Sequence, residues 1–207
     1  MRLLHWLPPS SRAEEDRGFA FAHPIVACVK CQVVATACHA IALSQWSRPH
    51  SCTDMETSLR WVGRFFVAYE CVDLALMYRH SCLTAEYFVH HLVHIAMGGF
   101  MLVNEAMPRM VVLLLMQETS GIFLNVYLFL RFRLARGHYV VRGARTGFVC
   151  TFVLYRIVLG AMALREFVAC GAPGFAPVER TVFGALLLAG YGLQWYWALV
   201  MARRSSS

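Results

Sequence analysis

Six apolar stretches, each close to twenty residues, alternate with short polar breaks along this chain. They run from about Pro24 to Trp46, Leu59 to Tyr78, Ala85 to Val103, Pro108 to Leu130, Thr146 to Phe167 and Val178 to Met201. About 20 apolar residues in an α-helix cross the roughly 30 Å hydrocarbon core of a bilayer. The pattern predicts an all-α, polytopic membrane protein, a bundle of six transmembrane helices around a polar-lined interior. Of the 207 residues, 58% are hydrophobic and 15% charged. A soluble domain carries about 45–50% apolar and about 25% charged residues, so too few polar groups remain to coat a soluble surface. Disordered chains are poor in aromatics and rich in charge, which excludes that class as well.

The breaks divide the chain. Residues 1–22 read as a cytosolic N-terminal tail, 23–202 as the transmembrane domain and 203–207 as a C-terminal tail. The short apolar stretch Leu3 to Leu7, followed by Pro8-Pro9, does not make a signal peptide. Pro24 suits the first turn of the first span, and Pro108 opens the fourth. Arg79-His80-Ser81 makes a tight connection. A basic loop from Arg131 to Arg145 carries Arg131, Arg133, Arg136, Arg142 and Arg145, and Cys170 to Pro177 is a Gly/Pro-rich turn.

Orientation follows from the arginines. Six spans place both termini and the second and fourth loops on one side. That side holds Arg2, Arg12, Arg17, Arg79, the five loop arginines, Arg203 and Arg204; the other holds Arg48, Arg60, Arg64, Arg109, Arg165 and Arg180. Eleven against six arginines puts both termini in the cytosol. The net charge of +7 is thereby a topogenic bias beside anionic headgroups. No basic stripe interleaves with exposed aromatics, so nucleic acid is not an expected partner. Cys52 and Cys170 both fall on the lumenal side, where an oxidising compartment permits a disulfide between them. Cys28-x-x-Cys31 lies inside the first span without a second pair and reads as packing.

Ionisable groups at bilayer depth are costly, about 2.5–3.5 kcal/mol each on insertion scales. Lys30, Glu70, Asp73, Glu118 and Arg156 lie inside the apolar runs. Three acids against two bases point to internal pairing, with Glu118 or Asp73 as the counter-ion expected for Arg156. The third run is the most polar, with His90, His91 and His94 in five positions. On a helix His94 shares a face with each of the other two, whereas His90 and His91 diverge. Histidines four apart can ligate zinc or iron, but the remaining histidines are scattered, so no metal site is expected. Glu118 and Asn125 share a face two turns apart. His39, Arg156 and Gln194 add a polar group to the first, fifth and sixth runs.

In order and spacing these residues resemble the TLC domain, which groups ceramide synthases, translocation-associated membrane proteins and a set of small TLC-domain proteins. The resemblance covers about residues 28 to 200. It rests on His39, Asp73, the pair His90-His91, Glu118-Thr-Ser followed by Phe123-Leu-Asn125, Arg156, and Gln194-Trp195-Tyr-Trp197. It implies a six-helix bundle, usually in the endoplasmic reticulum, whose cavity opens to lipid acyl chains. In ceramide synthases the paired histidines belong to the acyl-transfer site. The synthase motif, roughly H-D-x-S-D-x-x-L-E, meets Gln117, Glu118, Ser120, Gly121, Leu124 and Asn125 here, so two of its three acids are replaced.

The resulting expectation is a membrane protein of lipid homeostasis that binds lipid or regulates membrane phospholipid composition. His39, Asp73, His94, Asn125, Arg156 and Gln194 would line its cavity. The alternative is an acyltransferase of ceramide-synthase type, joining the acyl group of acyl-CoA to a sphingoid base, with His90, His91 and Glu118 catalytic. A buried imidazole suits that chemistry as general base or acyl acceptor. A further alternative is a proton-coupled transporter, since buried acids and histidines also make proton relays. Membrane lipids are the expected partners, no cofactor is expected, and acyl-CoA enters only as a substrate of the acyltransferase. Nothing in the sequence specifies or excludes an oligomer.

Overall fold

A computed structural model describes residues 12–45, 52, 55–131, 133–135 and 137–205. Residues 1–11, the end of the first run at Trp46, most of Ser47 to Asp54, Arg136 and the last two residues lie outside the described set. Among the described residues the structure is all-helical. In chain order the helices are α1 (Arg12–Gln45), α2 (Thr57–Arg79), α3 (Ala85–Asn104), α4 (Pro108–Leu115), α5 (Glu118–Leu130), α6 (Tyr139–Thr151), α7 (Leu159–Cys170) and α8 (Pro177–Ser205), with a π-helical segment, Phe152–Val158, joining α6 to α7.

By length and composition, four helical stretches are able to cross a membrane: Gly18–Ser44, Pro108–Leu130, Tyr139–Cys170 and Pro177–Arg203. The second and third of the six expected spans are the ones missing from this set. Both form helices, of 23 and 20 residues. They fall short in composition, because α2 carries Arg60, Arg64, Glu70 and Asp73, and α3 carries Glu86 and three histidines. Many apolar side chains face outward, among them Val29, Val33, Trp61, Val103, Val168, Leu188 and Leu199, each more than half exposed. An outer surface of this kind is unfavourable in water and favourable in hydrocarbon.

Three boundaries differ from the sequence reading. The first helix begins at Arg12, so Pro24 lies inside it rather than at its start. An interior proline costs a backbone hydrogen bond. Contacts around it hold the helix together: Phe19 stacks on His80 at 4.2 Å, Phe21 meets Phe129 at 5.7 Å, and His23 Nε2 lies 2.7 Å from Asp73 Oδ1. The basic loop is shorter than expected, since α6 starts at Tyr139 and takes Arg142 and Arg145 into a helix. His138 caps that helix by accepting from the Val140 N–H at 3.3 Å. Finally, the fourth run breaks at Met116-Gln117. There the amides of Gln117, Thr119 and Ser120 each donate to the carbonyl three residues back, at 3.1–3.2 Å. This tightened turn ends one helix and starts another without reversing the chain, and it places Glu118 and Ser120 inside.

The bundle is closed by α1 on α5, α5 on α6, α2 on α3, α4 on α7 and α3 on α8. Its centre is apolar, with Val34, Cys38, Leu59, Met107, Met110 and Phe183 almost completely buried. Gly98 lets α3 approach α2, for a Cβ there would collide with Val67. At one end of the bundle Cys52 and Cys170 form a disulfide, their Cα atoms 5.7 Å apart. The Cys52 carbonyl also accepts from the Met107 amide at 2.8 Å, and Arg60 pairs with Glu105 at 2.7 Å. The α2–α3 connection and the arginines after α5 gather at the other end, where Arg133 stacks on Phe129 and Phe21.

Candidate functional site

The ionisable residues inside the apolar runs converge. Lys30 of α1 is the hub. Its Nζ donates to Glu118 Oε2 of α5 at 2.6 Å and to Glu70 Oε1 of α2 at 3.0 Å. All three side chains are buried. Glu70 is held from its other oxygen as well: His91 Nδ1 of α3 lies 2.6 Å from Oε2. The same imidazole turns Nε2 toward Asp73 Oδ2 at 3.4 Å, and Asp73 in turn meets His23 at 2.7 Å. One connected network thus runs from Glu118 through Lys30, Glu70, His91 and Asp73 to His23, and it ties α1, α2, α3 and α5 together.

Helical periodicity explains this convergence. Glu70 and Asp73 are three apart on α2 and share a face, and His91 and His94 do the same on α3. Both of these faces turn toward Lys30. A buried charge needs an opposite charge and further hydrogen bonds to satisfy its remaining donors and lone pairs. Here three carboxylates surround one ammonium and the histidines. His91 faces a carboxylate from each ring nitrogen, Glu70 at 2.6 Å and Asp73 at 3.4 Å.

The expected partner of Arg156 is not found. No acid lies within ion-pair distance of it among the described residues; Lys30 is the cation that pairs with Glu118. Arg156 instead donates from Nε to Ser120 Oγ at 2.7 Å and from Nη1 to Gln194 Oε1 at 3.2 Å. Ser120 Oγ in turn donates to the Gln117 carbonyl at 2.9 Å. The π-helical segment delivers Arg156 to this position, with Phe152 buried beside it. Tyr155 of the same segment reaches α1, its hydroxyl 3.0 Å from His39 Nε2. His39 therefore bridges α1 to the π turn and stands apart from the charged network. Asn125 bonds within its own helix, to the Gly121 carbonyl at 2.8 Å, with Cys31 Sγ 3.9 Å away.

Cys31 does more than pack, since its thiol donates to Glu118 Oε2 at 3.1 Å. It also accounts for Gly121. A Cβ at that position would sit 2.6 Å from Cys31 Sγ, so the thiol occupies the space that the second acid of the synthase motif would need. Cys28 directs its thiol to the Ile122 carbonyl at 3.9 Å.

His90 is differently placed from His91. Among the described residues its contacts are between rings, with His94 at 4.0 Å, Trp197 at 5.2 Å and His91 at 5.6 Å. His94 Nδ1 has no hydrogen-bond partner among the described residues; the Glu70 carboxylate lies 3.7 Å away. His94 also lines a cavity of about 60 Å³ between α2, α3, α4, α7 and α8. The cavity wall is mainly apolar, formed by residues such as Phe66, Val93, Met97, Met101 and Leu187, with Gln117, Tyr191 and Gln194 as its other polar members. The predicted site residues thus fall into three places: Asp73, His91 and Glu118 in the charged network, His94 and Gln194 at the cavity, and His39, Asn125, His90 and Arg156 in contacts between or beside them. Sequence reasoning missed His23, which it placed before the first span, and Cys31, Ser120 and Gln117 as members of the site.

Neither a search of curated proteins nor one of solved structures found a match to this chain. A family model described as the TLC domain matches residues 16–203. That range takes in His23 and every other residue of the network and the cavity. With apolar helices able to cross a membrane and a match over nearly its whole length, the chain belongs to the TLC-domain family of membrane proteins.

Proposed function

We propose that this protein binds lipid within a bundle of six membrane spans and acts in lipid homeostasis, through lipid binding or regulation of membrane phospholipid composition. The observation that carries this reading is the closure of the charged network on itself. A general base needs a free lone pair within reach of the proton it removes. His91 has carboxylates at both nitrogens and Glu118 is held by Lys30 and Cys31. In this arrangement His91 and Glu118 serve to join helices and to cancel charge in a low-dielectric interior.

The full set of six spans requires α2 and α3 to cross as well. At 1.5 Å per residue they reach about 30–35 Å, enough to span. Their acids and histidines face the network rather than lipid, as charged groups inside membrane helices do. Both termini lie on the cytosolic side in this reading. The arginine-rich end and the disulfide end are opposite ends of the bundle, which fits a reducing cytosol and an oxidising lumen. The endoplasmic reticulum is the compartment that suits both features.

Acyl transfer is the second reading, and His90 is what favours it. Its imidazole forms no hydrogen bond among the described residues and lies against His94 and Trp197. Two measurements separate the readings. Mass spectrometry of lipids co-purified with the wild type and with a His90→Ala/His91→Ala variant should show bound lipid that the variant loses in part. Purified protein given acyl-CoA and sphingoid base should form no product across chain lengths. Robust acyl-CoA-dependent product, abolished by His91→Ala, would falsify the binding reading.

A further inference from the structure

The cavity beside His94 differs from the network next to it in carrying no formal charge. No Asp, Glu, Lys or Arg lines it. Two charged groups stand behind lining residues, and both have partners: Glu70, 3.7 Å from His94, is held by Lys30 and His91, and Arg156 donates to Ser120 and to Gln194 Oε1. An ionised headgroup entering here would lose its water and meet no counter-ion, which is strongly unfavourable.

Neutral hydrogen-bonding capacity, in contrast, is available. Gln117 is buried and its side-chain amide makes no hydrogen bond among the described residues, yet it borders the cavity. His94 Nδ1 has no hydrogen-bond partner among the described residues, with Glu70 3.7 Å away. Gln194 accepts from Arg156 through Oε1, leaving its own N–H groups to donate. Tyr191 is the exception, since its hydroxyl donates to the Ile157 carbonyl at 3.2 Å. Around these groups the wall is apolar, with Val93, Met97 and Leu187.

The geometry points to an uncharged amphiphile as the ligand: a long-chain alcohol or glycerol ester whose hydroxyl or ester group sits among Gln117, His94 and Gln194. This inference rests on the lipid-binding reading and narrows it to a chemical class. The size agrees. At about 10–15 Å³ per water position the cavity corresponds to roughly four to six waters. That is room for one polar group and the first few carbons attached to it, with the rest of the chain leaving toward the membrane. Amides that both donate and accept match a hydroxyl, which does the same.

The test uses full-length protein in detergent and three photoreactive probes that share one alkyl chain and diazirine. They differ only in the headgroup: an alcohol, a carboxylic acid and a primary amine. The alcohol should label the peptides around Val93–Met101 and Leu187–Gln194 roughly tenfold more than either charged probe, as expected when a charge enters an uncompensated site. Gln117→Glu adds a negative charge to the wall and should lower alcohol labelling while raising amine labelling. Acid or amine labelling of the same peptides as strong as that by the alcohol overturns the neutral-ligand inference and leaves lipid binding standing. So does a Gln117→Glu protein that labels like the wild type. No labelling of these peptides by any probe, in protein that still melts cooperatively, removes lipid binding here as well. If Gln117→Glu does not fold, the wild-type headgroup series decides alone.

Discussion

The charged network and the cavity meet at His94, and they are built on different principles. The network packs three acids, a lysine and two histidines into the interior and leaves them facing one another. The cavity holds amides and an imidazole in an apolar wall, and His94 Nδ1 there has no hydrogen-bond partner among the described residues. A closed set of charges has nothing left to offer a ligand, and what it does instead is fix four helices in register. Unclaimed neutral groups contribute little to stability and remain free to bind. The difference teaches that the most conspicuous residues of a membrane interior can be its framework, while its recognition chemistry rests on the plainer ones.

The sharpest way to break this comparison is to remove the hub. Lys30→Met leaves two buried carboxylates without their cation and should cost about 3–5 kcal/mol, read as a large drop in melting temperature or folded yield in detergent. Adding Glu70→Gln and Glu118→Gln should restore most of that loss. If the triple variant is no better than Lys30→Met, the network is not held by charge cancellation.

The disulfide comes next. Closing a loop of 118 residues should contribute about 2–4 kcal/mol. Cys52→Ser should lower the melting temperature accordingly, and maleimide–polyethylene glycol should modify two further thiols of the denatured wild type only after reduction. Modification of all eight cysteines without reduction would show the bond to be absent.

Gly160 probes the other region. A Cβ there would lie 2.9 Å from two ring carbons of Tyr191, so Gly160→Ala should cost about 1–3 kcal/mol by overpacking. It should also reduce labelling of the cavity without disturbing the network. Wild-type labelling would show that Tyr191 has somewhere else to go.

Smaller effects sharpen the boundary. His39→Phe removes the hydrogen bonds to Tyr155 and to the Ala35 carbonyl and should cost about 1–2 kcal/mol. Smallest of all is the coupling between Arg156→Gln and Glu118→Gln. The two form no ion pair among the described residues, so their coupling should stay well below that between Lys30 and Glu118, which are 2.6 Å apart. Strong coupling between Arg156 and Glu118 would return Arg156 to the charged network.

Much of the fold was legible because hydrophobic runs and prolines report on helix extent. Pro108 does open its helix, and α2 and α3 lie within two residues of their expected ends. Pro24 misled because tertiary contacts at Phe19, Phe21 and His23 outweigh the local cost of an interior proline. The break at Met116-Gln117 carries no glycine or proline to announce it. The candidate residues were legible as unusual at their depth, but their partners were not. A sequence shows that Lys30, Glu70, Glu118 and Arg156 must be accommodated; which cation meets which acid depends on how helices rotate against one another. Gln117 was hidden for a simpler reason, since an uncharged amide among apolar residues is unremarkable until a cavity is found beside it.

The disulfide also carries information about time. Cys52 is made early and Cys170 only 118 residues later, after α2 to α7 have all been synthesised. Until Cys170 is made this bond cannot form; the Cys52 carbonyl also accepts from the Met107 amide. The bond therefore closes as a late seal on assembly: a chain that stops short of α7, or inserts it the wrong way round, keeps a reduced Cys52, and its free thiol marks an unfinished molecule.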